Sequence, residues 1–233
     1  MRSHDEEVES SYPPMGSFAS VDDWAMHHLT VGRGRDVLLL HGAGGSIRDM
    51  SFTLMPRLAK LASKLRITAV DRPGHGYTRG PDATSVISPI EQAALIWRFC
   101  DTQRLVKPLI LGQSYGGAVA LAMAALRPNG ASGLCLVSAA SSEKISSTPI
   151  GMETITRVPL LQQAALKAMR SPRFIEMSIE KLFAPDPVPH GYLEYFGPEM
   201  SLRDGVFRHQ MKQVACLSET LRSIAPEFSR ITM

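Results

Sequence analysis

The sequence has little net charge and no concentration of one sign. Its 25 lysine and arginine residues are nearly balanced by 22 aspartate and glutamate residues, which leaves a formal net charge of +3 over 233 residues. The basic residues are scattered, with no block of like charge. A nucleic-acid-binding protein needs a basic patch that neutralises phosphates. The charge pattern therefore excludes nucleic acid as an expected partner.

Cysteine is also scarce. The three cysteines, Cys100, Cys135 and Cys216, show neither the spacing of a disulfide framework nor that of a metal site. Cys100 and Cys135 lie in apolar stretches, so we expect both to be buried thiols. The sequence predicts no metal and no cofactor.

Long hydrophobic runs are missing as well. No stretch approaches the roughly 18 apolar residues of a membrane span. The first nine residues are acidic and lack the apolar core of a secretory signal. These absences predict a protein without a membrane span, in the cytoplasm.

Three glycine-containing motifs stand out, each directly after a short apolar run. They are HGAGGS at 41–46, DRPGHGY at 71–77 and GQSYGG at 112–117. The last contains Gly-x-Ser-x-Gly around Ser114, the pattern of a sharp strand-to-helix turn that exposes a serine at the top of a sheet. Small residues flank the serine because larger side chains would collide in so tight a turn.

Strand and helix signals alternate along the first 140 residues. The patterns predict strands at 26–31, 37–40, 65–70, 108–111 and 133–137, with helices at 49–64, 88–105 and 116–127. The first two strands, joined by Gly32-Arg33-Gly34, are predicted to form a hairpin. Alternating strands and helices imply a mostly parallel sheet with helices on both faces. Ligands on such sheets bind at the carboxyl ends of the strands, where all three motifs lie.

Composition divides the chain into four parts. Residues 1–20 are a polar amino-terminal arm, and 21–140 are the α/β core with the turn at 112–117. Residues 141–225 carry helical periodicity and no strand signal, which predicts a helical cap inserted over the sheet. Residues 226–233 begin a return to the core.

These motifs, in this order, resemble those of the α/β-hydrolase superfamily, in the branch of serine hydrolases with a helical cap. That branch includes esterases, epoxide hydrolases, carbon–carbon bond hydrolases and cofactor-free haloperoxidase-like enzymes. The resemblance is specific over about residues 12–140 and looser through the cap. It implies the α/β-hydrolase fold and a small-molecule substrate.

The resemblance also assigns roles to residues. Ser114 is the implied nucleophile, and the backbone N–H groups of Tyr115 and Ala43 are the implied oxyanion hole, with Gly44 as an alternative to Ala43. His41 and His75 are implied to fix loops rather than to catalyse. His27 and His28, on an early strand, are expected to face solvent or the edge of the core.

The acid and the base of a triad are harder to find. In this family they follow the nucleophile along the chain, yet neither a Gly-x-x-Asp turn nor a Gly-His pair occurs after residue 205. We expect that about the last 50 to 70 residues of a usual domain, including its last strands, are absent. A substitute acid is Glu143, which lies close to where some members of this family place their acid, after the strand that ends near Val137. Substitute bases are His190 and His209, but neither has the family context.

Three functions remain open at this stage. The first is a serine hydrolase that cleaves an ester or a similar acyl or carbon–carbon bond, and the second is a binding protein or remnant without a working triad. The third is an acyltransferase, because the same serine can pass an acyl group to an alcohol. If the last strands are absent, the strand at 133–137 is left as an exposed edge, which predicts self-association.

Overall fold

A six-stranded sheet forms the centre of the structure. The computed structural model describes residues 2–61, 63–81, 88–142 and 158–231. The strands are Ser17–Val21 (β1), Trp24–Gly32 (β2), Arg35–Leu40 (β3), Leu65–Val70 (β4), Leu109–Gln113 (β5) and Gly133–Val137 (β6), in the spatial order β1-β2-β4-β3-β5-β6. Strands β3 to β6 run parallel, and β1 and β2 are antiparallel to their neighbours. The predicted α/β class and mostly parallel sheet are confirmed.

Helices cover both faces of this sheet. Those of the first 130 residues are His4–Ser11 (α1), Ile47–Leu58 (α2), Pro89–Thr102 (α3) and Tyr115–Leu126 (α4). Helix α3 begins as its sequence predicts: the Ser88 hydroxyl accepts from the backbone N–H of Glu91, and the Glu91 carboxylate accepts from that of Ser88. This reciprocal capping satisfies two N–H groups that have no partner inside the helix.

Residues 37–40 of strand β3 are apolar without interruption because the sheet is covered on both faces there. Leu38 and Leu40 pack with α3 and α4 on one face of the sheet. Val37 and Leu39 pack on the other face, against α2. Successive side chains of a strand point to opposite faces, so a strand covered on both sides needs an apolar residue at every position.

The hairpin predicted for the strands at 26–31 and 37–40, which correspond to β2 and β3, is wrong. Strand β2 pairs with β4, which lies between β2 and β3. The short link after β2 instead crosses the start of β4, where a Cβ on Gly34 would lie 2.2 Å from the carbonyl oxygen of Lys64. Gly34 has φ +125°, which also favours glycine. Strand β3, which is buried apart from Arg35, occupies the sheet centre, and the partly exposed β2 lies nearer the edge.

Three smaller expectations also change. Helix α2 starts earlier than predicted because Ser46 caps it, and it ends at Leu58 before a single 3₁₀ turn, Ala59–Leu61. The polar arm at 1–20 contains α1 and most of β1. Cys100 is buried as expected, but Cys135 is exposed on β6, because β6 is the edge strand and has a neighbour on one side only.

The remaining helices follow β6. They are Pro159–Met169 (α5), Pro172–Phe183 (α6), Tyr192–Phe196 (α7) and Asp204–Ile224 (α8), with 3₁₀ turns at Pro198–Leu202 and Ala225–Arg230. We refer to residues 159–202 as the helical layer. The second half of α8 belongs to the main core, through Leu217, Leu221 and Ile224. None of the helices in the described ranges combines the length and apolar character that crossing a membrane requires.

Candidate active site

Ser114 occupies the turn between β5 and α4, as the glycine pattern predicts. Its dihedral angles are φ 50° and ψ −116°, a region that costs a residue with a side chain about 1–3 kcal/mol. Backbone hydrogen bonds hold it there: its N–H donates to Val137 at 3.0 Å, and its carbonyl accepts from Gly117 and Ala140 at 3.0 Å each. A Cβ on Gly116 would lie 2.3 Å from the carbonyl oxygen of Leu40, so only glycine lets the turn approach β3 this closely.

The loop after β3 lies beside Ser114, and its conformation is fixed at the Gly42 carbonyl. Three donors converge on that oxygen: His41 Nδ1 at 2.8 Å, Arg72 Nη2 at 2.9 Å and the backbone N–H of Gly45 at 3.2 Å. His41 Nε2 accepts from the backbone N–H of Arg72, which places the ring proton on Nδ1. Burial lowers the pKa of His41 to about 3, so the ring is neutral.

The fixed carbonyl determines the direction of the next N–H group. The described part of the chain has one cis peptide bond, at Ala184-Pro185, so the Gly42–Ala43 bond is trans. In a trans peptide the C=O and the following N–H point in opposite directions. Because the Gly42 oxygen faces Arg72, the N–H of Ala43 faces away from it.

Arg72 connects this loop to the rest of the site. Its side chain is fully buried, and its guanidinium donates to the carbonyl of His41 at 2.8 Å and to the side chains of Gln92 and Gln213 at 2.8 and 3.1 Å. Its charge lies 4.6 Å from the centre of the Tyr115 ring, a cation–π contact. Burial lowers the pKa of Arg72 to about 10, and the side chain therefore stays protonated at neutral pH.

Asp71, which precedes Arg72 in the 71–77 motif, holds several backbone segments together, a role that the sequence did not reveal. Its carboxylate accepts from His27 Nδ1 at 2.7 Å and from the backbone N–H groups of Ile47 and Tyr77 at 2.7 and 2.8 Å. Burial alone would raise the pKa of Asp71, but the hydrogen bond and charge of His27 outweigh it, and the pKa lies below its usual value. The carboxylate thus ties together β2, the start of α2 and the 71–77 loop.

The other early histidines are buried too. His27 and His28 are 2% and 8% exposed, so of the two expectations for them, the one that they face solvent is wrong and the one that they lie at the edge of the core remains. His27 is buried because Asp71 pairs with it, and His28 because its ring packs on Phe99. His75 lies beneath the loop, with its ring 5.2 Å from that of His41.

Ser114 and Ala43 both line a cavity of about 380 Å³ between the sheet and the helical layer. The helical layer contributes mainly apolar side chains to it, among them Met169, Phe174, Ile179, Phe183, Phe196 and Leu202. The core contributes the 42–45 loop, Asp49, Gln113 and Ser114. The cavity therefore joins a strained serine to an apolar space of the size of a small organic molecule.

Neither candidate base lines this cavity. His190 is exposed in a loop of the helical layer, and His209 is buried on α8, where its ring would block a Cβ on Gly74. Glu143, the candidate acid, lies outside the described residues. Among the described residues that line the cavity there is no histidine. The described ranges also contain no cluster of three or more histidine, cysteine or acidic residues that would suit a metal ion.

Known proteins share both the sequence pattern and the fold. A family model described as "Alpha/beta hydrolase family" matches residues 37–226. A dihydrolipoyllysine-residue acetyltransferase component of the acetoin cleaving system, from Cupriavidus necator, is 32% identical over 122 residues, which are 52% of this chain and 31% of that protein. The chain spans at most about half the length of the curated relatives it matches.

Two solved structures show the same fold at lower identity. The first is Cfl2 of Burkholderia cenocepacia, with 22% identity and a TM-score of 0.72 over 90% of this chain and 73% of that chain. The second is an esterase of Exiguobacterium antarcticum, with 21% identity and a TM-score of 0.68 over 91% of this chain and 77% of that chain. With the family model matched across 37–226, the chain belongs to the alpha/beta hydrolase family.

Proposed function

We propose that this chain carries serine-type hydrolase chemistry directed at a small ester or a similar acyl or carbon–carbon bond, with Ser114 as the nucleophile. The observation that carries the proposal is the strained turn at Ser114, which opens into the cavity. Such strain persists only where the surrounding structure holds it, and it concentrates at active sites. The esterase among the similar structures agrees with this assignment.

The backbone supports an oxyanion hole made by Tyr115 and Ala43. Tyr115 is the first residue of α4, and the first N–H groups of a helix have no partner within it and lie at the positive end of its dipole. The N–H of Ala43 is turned away from Arg72, and Ala43 lines the cavity with Ser114. One such donor contributes about 2.7–4 kcal/mol to transition-state stabilisation.

A serine hydroxyl needs a base to take its proton, and no histidine is found among the described cavity residues. We therefore expect the chain to hydrolyse activated esters weakly, with the residual rate of about 10³–10⁴-fold over water that binding and an oxyanion hole supply by themselves. The alternative function is a binding protein that uses the same cavity without turnover.

Imidazole added to the solution separates these two functions, because it can supply the missing base. We expect p-nitrophenyl acetate hydrolysis by the 233-residue chain to rise with imidazole concentration beyond the reaction of imidazole alone. Ser114→Ala is expected to abolish that increment. Ser178→Ala, a second serine that lines the cavity, is the matched control and is expected to retain it. An equal increment in Ser114→Ala would refute the hydrolase proposal and leave the binding function.

Transfer to an alcohol is a second catalytic outcome, favoured by the acetyltransferase name of the Cupriavidus relative. It uses the same acyl-serine and differs only in whether water or an alcohol takes the acyl group. Running the same assay with an added alcohol and measuring the new ester by chromatography distinguishes the two. An ester that forms in proportion to p-nitrophenol release identifies a transferase.

A further inference from the structure

The cavity has one charged residue among the described residues that line it. Asp49 contributes that carboxyl group, and the described lining contains no lysine, arginine or histidine. The cavity therefore combines a single negative group with apolar walls. A ligand that carries a carboxylate or phosphate would find no opposite charge among these residues.

Asp49 is held at the cavity wall by the helical layer. It lies in the first turn of α2, and its Oδ1 accepts a hydrogen bond of 2.9 Å from the hydroxyl of Tyr192, at the start of α7. Burial raises the pKa of Asp49, because a carboxylate loses water there, while the hydrogen bond from Tyr192 acts in the opposite direction. The ionised carboxylate attracts a cation that enters the cavity beside it.

Aromatic rings pack around Tyr192, the hydrogen-bond partner of Asp49. The Tyr192 ring stacks on Phe196 with 5.2 Å between ring centres and packs edge-to-face with Phe183 at 4.9 Å. Phe183, Tyr192 and Phe196 all line the cavity, as Asp49 does. The faces of aromatic rings attract cations, and groups of such rings recognise ammonium ligands.

We propose that Asp49 and these three aromatic residues form an ammonium-binding subsite, so that the substrate of the cavity carries a cationic amine on an otherwise apolar body. The substrate class rests on the proposed function, since only a hydrolase or transferase would act on the bound molecule. The subsite itself does not depend on turnover. Its test is therefore a binding measurement with molecules that Ser114 does not cleave.

Three ligands of the same shape isolate the effect of charge: 4-phenylbutylamine, 4-phenylbutan-1-ol and 4-phenylbutyrate. Their dissociation constants for the full chain are measured at neutral pH by calorimetry or ligand-detected NMR. We expect the amine to bind about tenfold tighter than the alcohol, because hydrogen bonds to charged groups are the stronger ones. The carboxylate is expected to bind most weakly.

Two substitutions assign the preference to Asp49. Asp49→Asn keeps the shape and an acceptor oxygen but removes the charge, so we expect most of the preference for the amine over the alcohol to be lost and only the part that the aromatic rings supply to remain. Asp101→Asn makes the same change of net charge on the outer side of α3, where Asp101 pairs with Arg127, and is expected to keep the preference. Tyr192→Phe keeps the ring and the fold if Asp49→Asn proves unstable, and is expected to keep or increase the preference.

Equal binding of amine and alcohol by the unchanged chain would overturn the subsite. So would a preference that is undiminished in Asp49→Asn. Neither result bears on Ser114, whose role is tested by the imidazole-dependent reaction. Conversely, a chain that binds the amine selectively and shows no Ser114-dependent turnover would keep the subsite and lose the hydrolase proposal.

Discussion

At the scale of single residues, the unusual feature of this site is a buried arginine that donates hydrogen bonds to backbone carbonyls and so fixes a loop. The Arg72 guanidinium has no exposed surface, and its acceptors include the carbonyls of His41 and Gly42 and the side chain of Gln92. Burying a cation is costly unless its donors are satisfied. The fork geometry of arginine meets two adjacent carbonyls at once, which a lysine cannot do.

This geometry makes Arg72 a positioning residue for the proposed oxyanion hole. We expect Arg72→Lys to leave Ser114 in place but to release the Gly42–Ala43 peptide, which lowers the rate of Ser114 labelling by a fluorophosphonate about 100-fold. The measurement is the labelling rate constant at saturating reagent, followed by mass spectrometry. The apparent affinity for the reagent is expected to change little.

A second buried arginine provides the control for Arg72. Arg203 is 4% exposed and donates to Glu9 and to the carbonyls of Gly76 and Met200, away from the 41–45 loop. Arg203→Lys is expected to lower stability without a comparable loss of labelling rate. Similar losses of rate in the two variants would mean that Arg72 acts only on stability.

At the scale of secondary-structure elements, Asp71 is the point where three segments meet. The partners of its carboxylate come from β2, from the start of α2 and from the loop after β4. Because its pKa is lowered in the folded chain, ionised Asp71 stabilises the fold above the ordinary pKa of an aspartate. That contribution is lost as the pH falls through the folded pKa.

Asp71→Asn tests this junction. We expect a loss of about 3 kcal/mol in the free energy of unfolding at pH 7, since it removes one partner of a buried pair. The deficit is expected to stay constant down to about pH 4 and to shrink below it. Urea denaturation at a series of pH values measures it. The control Asp101→Asn, at an exposed ion pair, is expected to lower the free energy of unfolding by less than about 1 kcal/mol. A loss of stability in Asp71→Asn that grows below pH 4 would contradict the stabilising role of the ionised Asp71.

The elements that could be predicted from the sequence are those with local signals. The capping box of Ser88 and Glu91 marks the start of α3, and the glycines around Ser114 mark the turn between β5 and α4. Both are found where predicted. The order of β2, β4 and β3 could not be read in this way, because strand pairing is set by contacts distant in the sequence. The same holds for the pairs of Asp71 with His27 and of Asp49 with Tyr192, which are 44 and 143 residues apart.

At the scale of the whole molecule, the sheet ends in an apolar edge. Strand β6 pairs with β5 on one side and is the last strand of the sheet among the described residues. Leu136 and Val137 on it are 40% and 42% exposed, and Cys135 is exposed as well. An exposed edge strand offers unpaired backbone groups to any other strand, and exposed apolar side chains strengthen the contact.

We therefore expect the 233-residue chain to self-associate through β6. Light scattering coupled to size-exclusion chromatography, in reducing buffer so that Cys135 forms no disulfide, is expected to show a mass that rises with protein concentration. Leu136→Lys and Val137→Lys are expected to shift the protein toward the monomer, because a charged residue on an edge strand opposes pairing. Val106→Lys, which replaces a valine that is 75% exposed before β5, is expected to leave the association unchanged. A monomer at all concentrations, with cooperative unfolding, would show that this edge is protected by some other part of the chain.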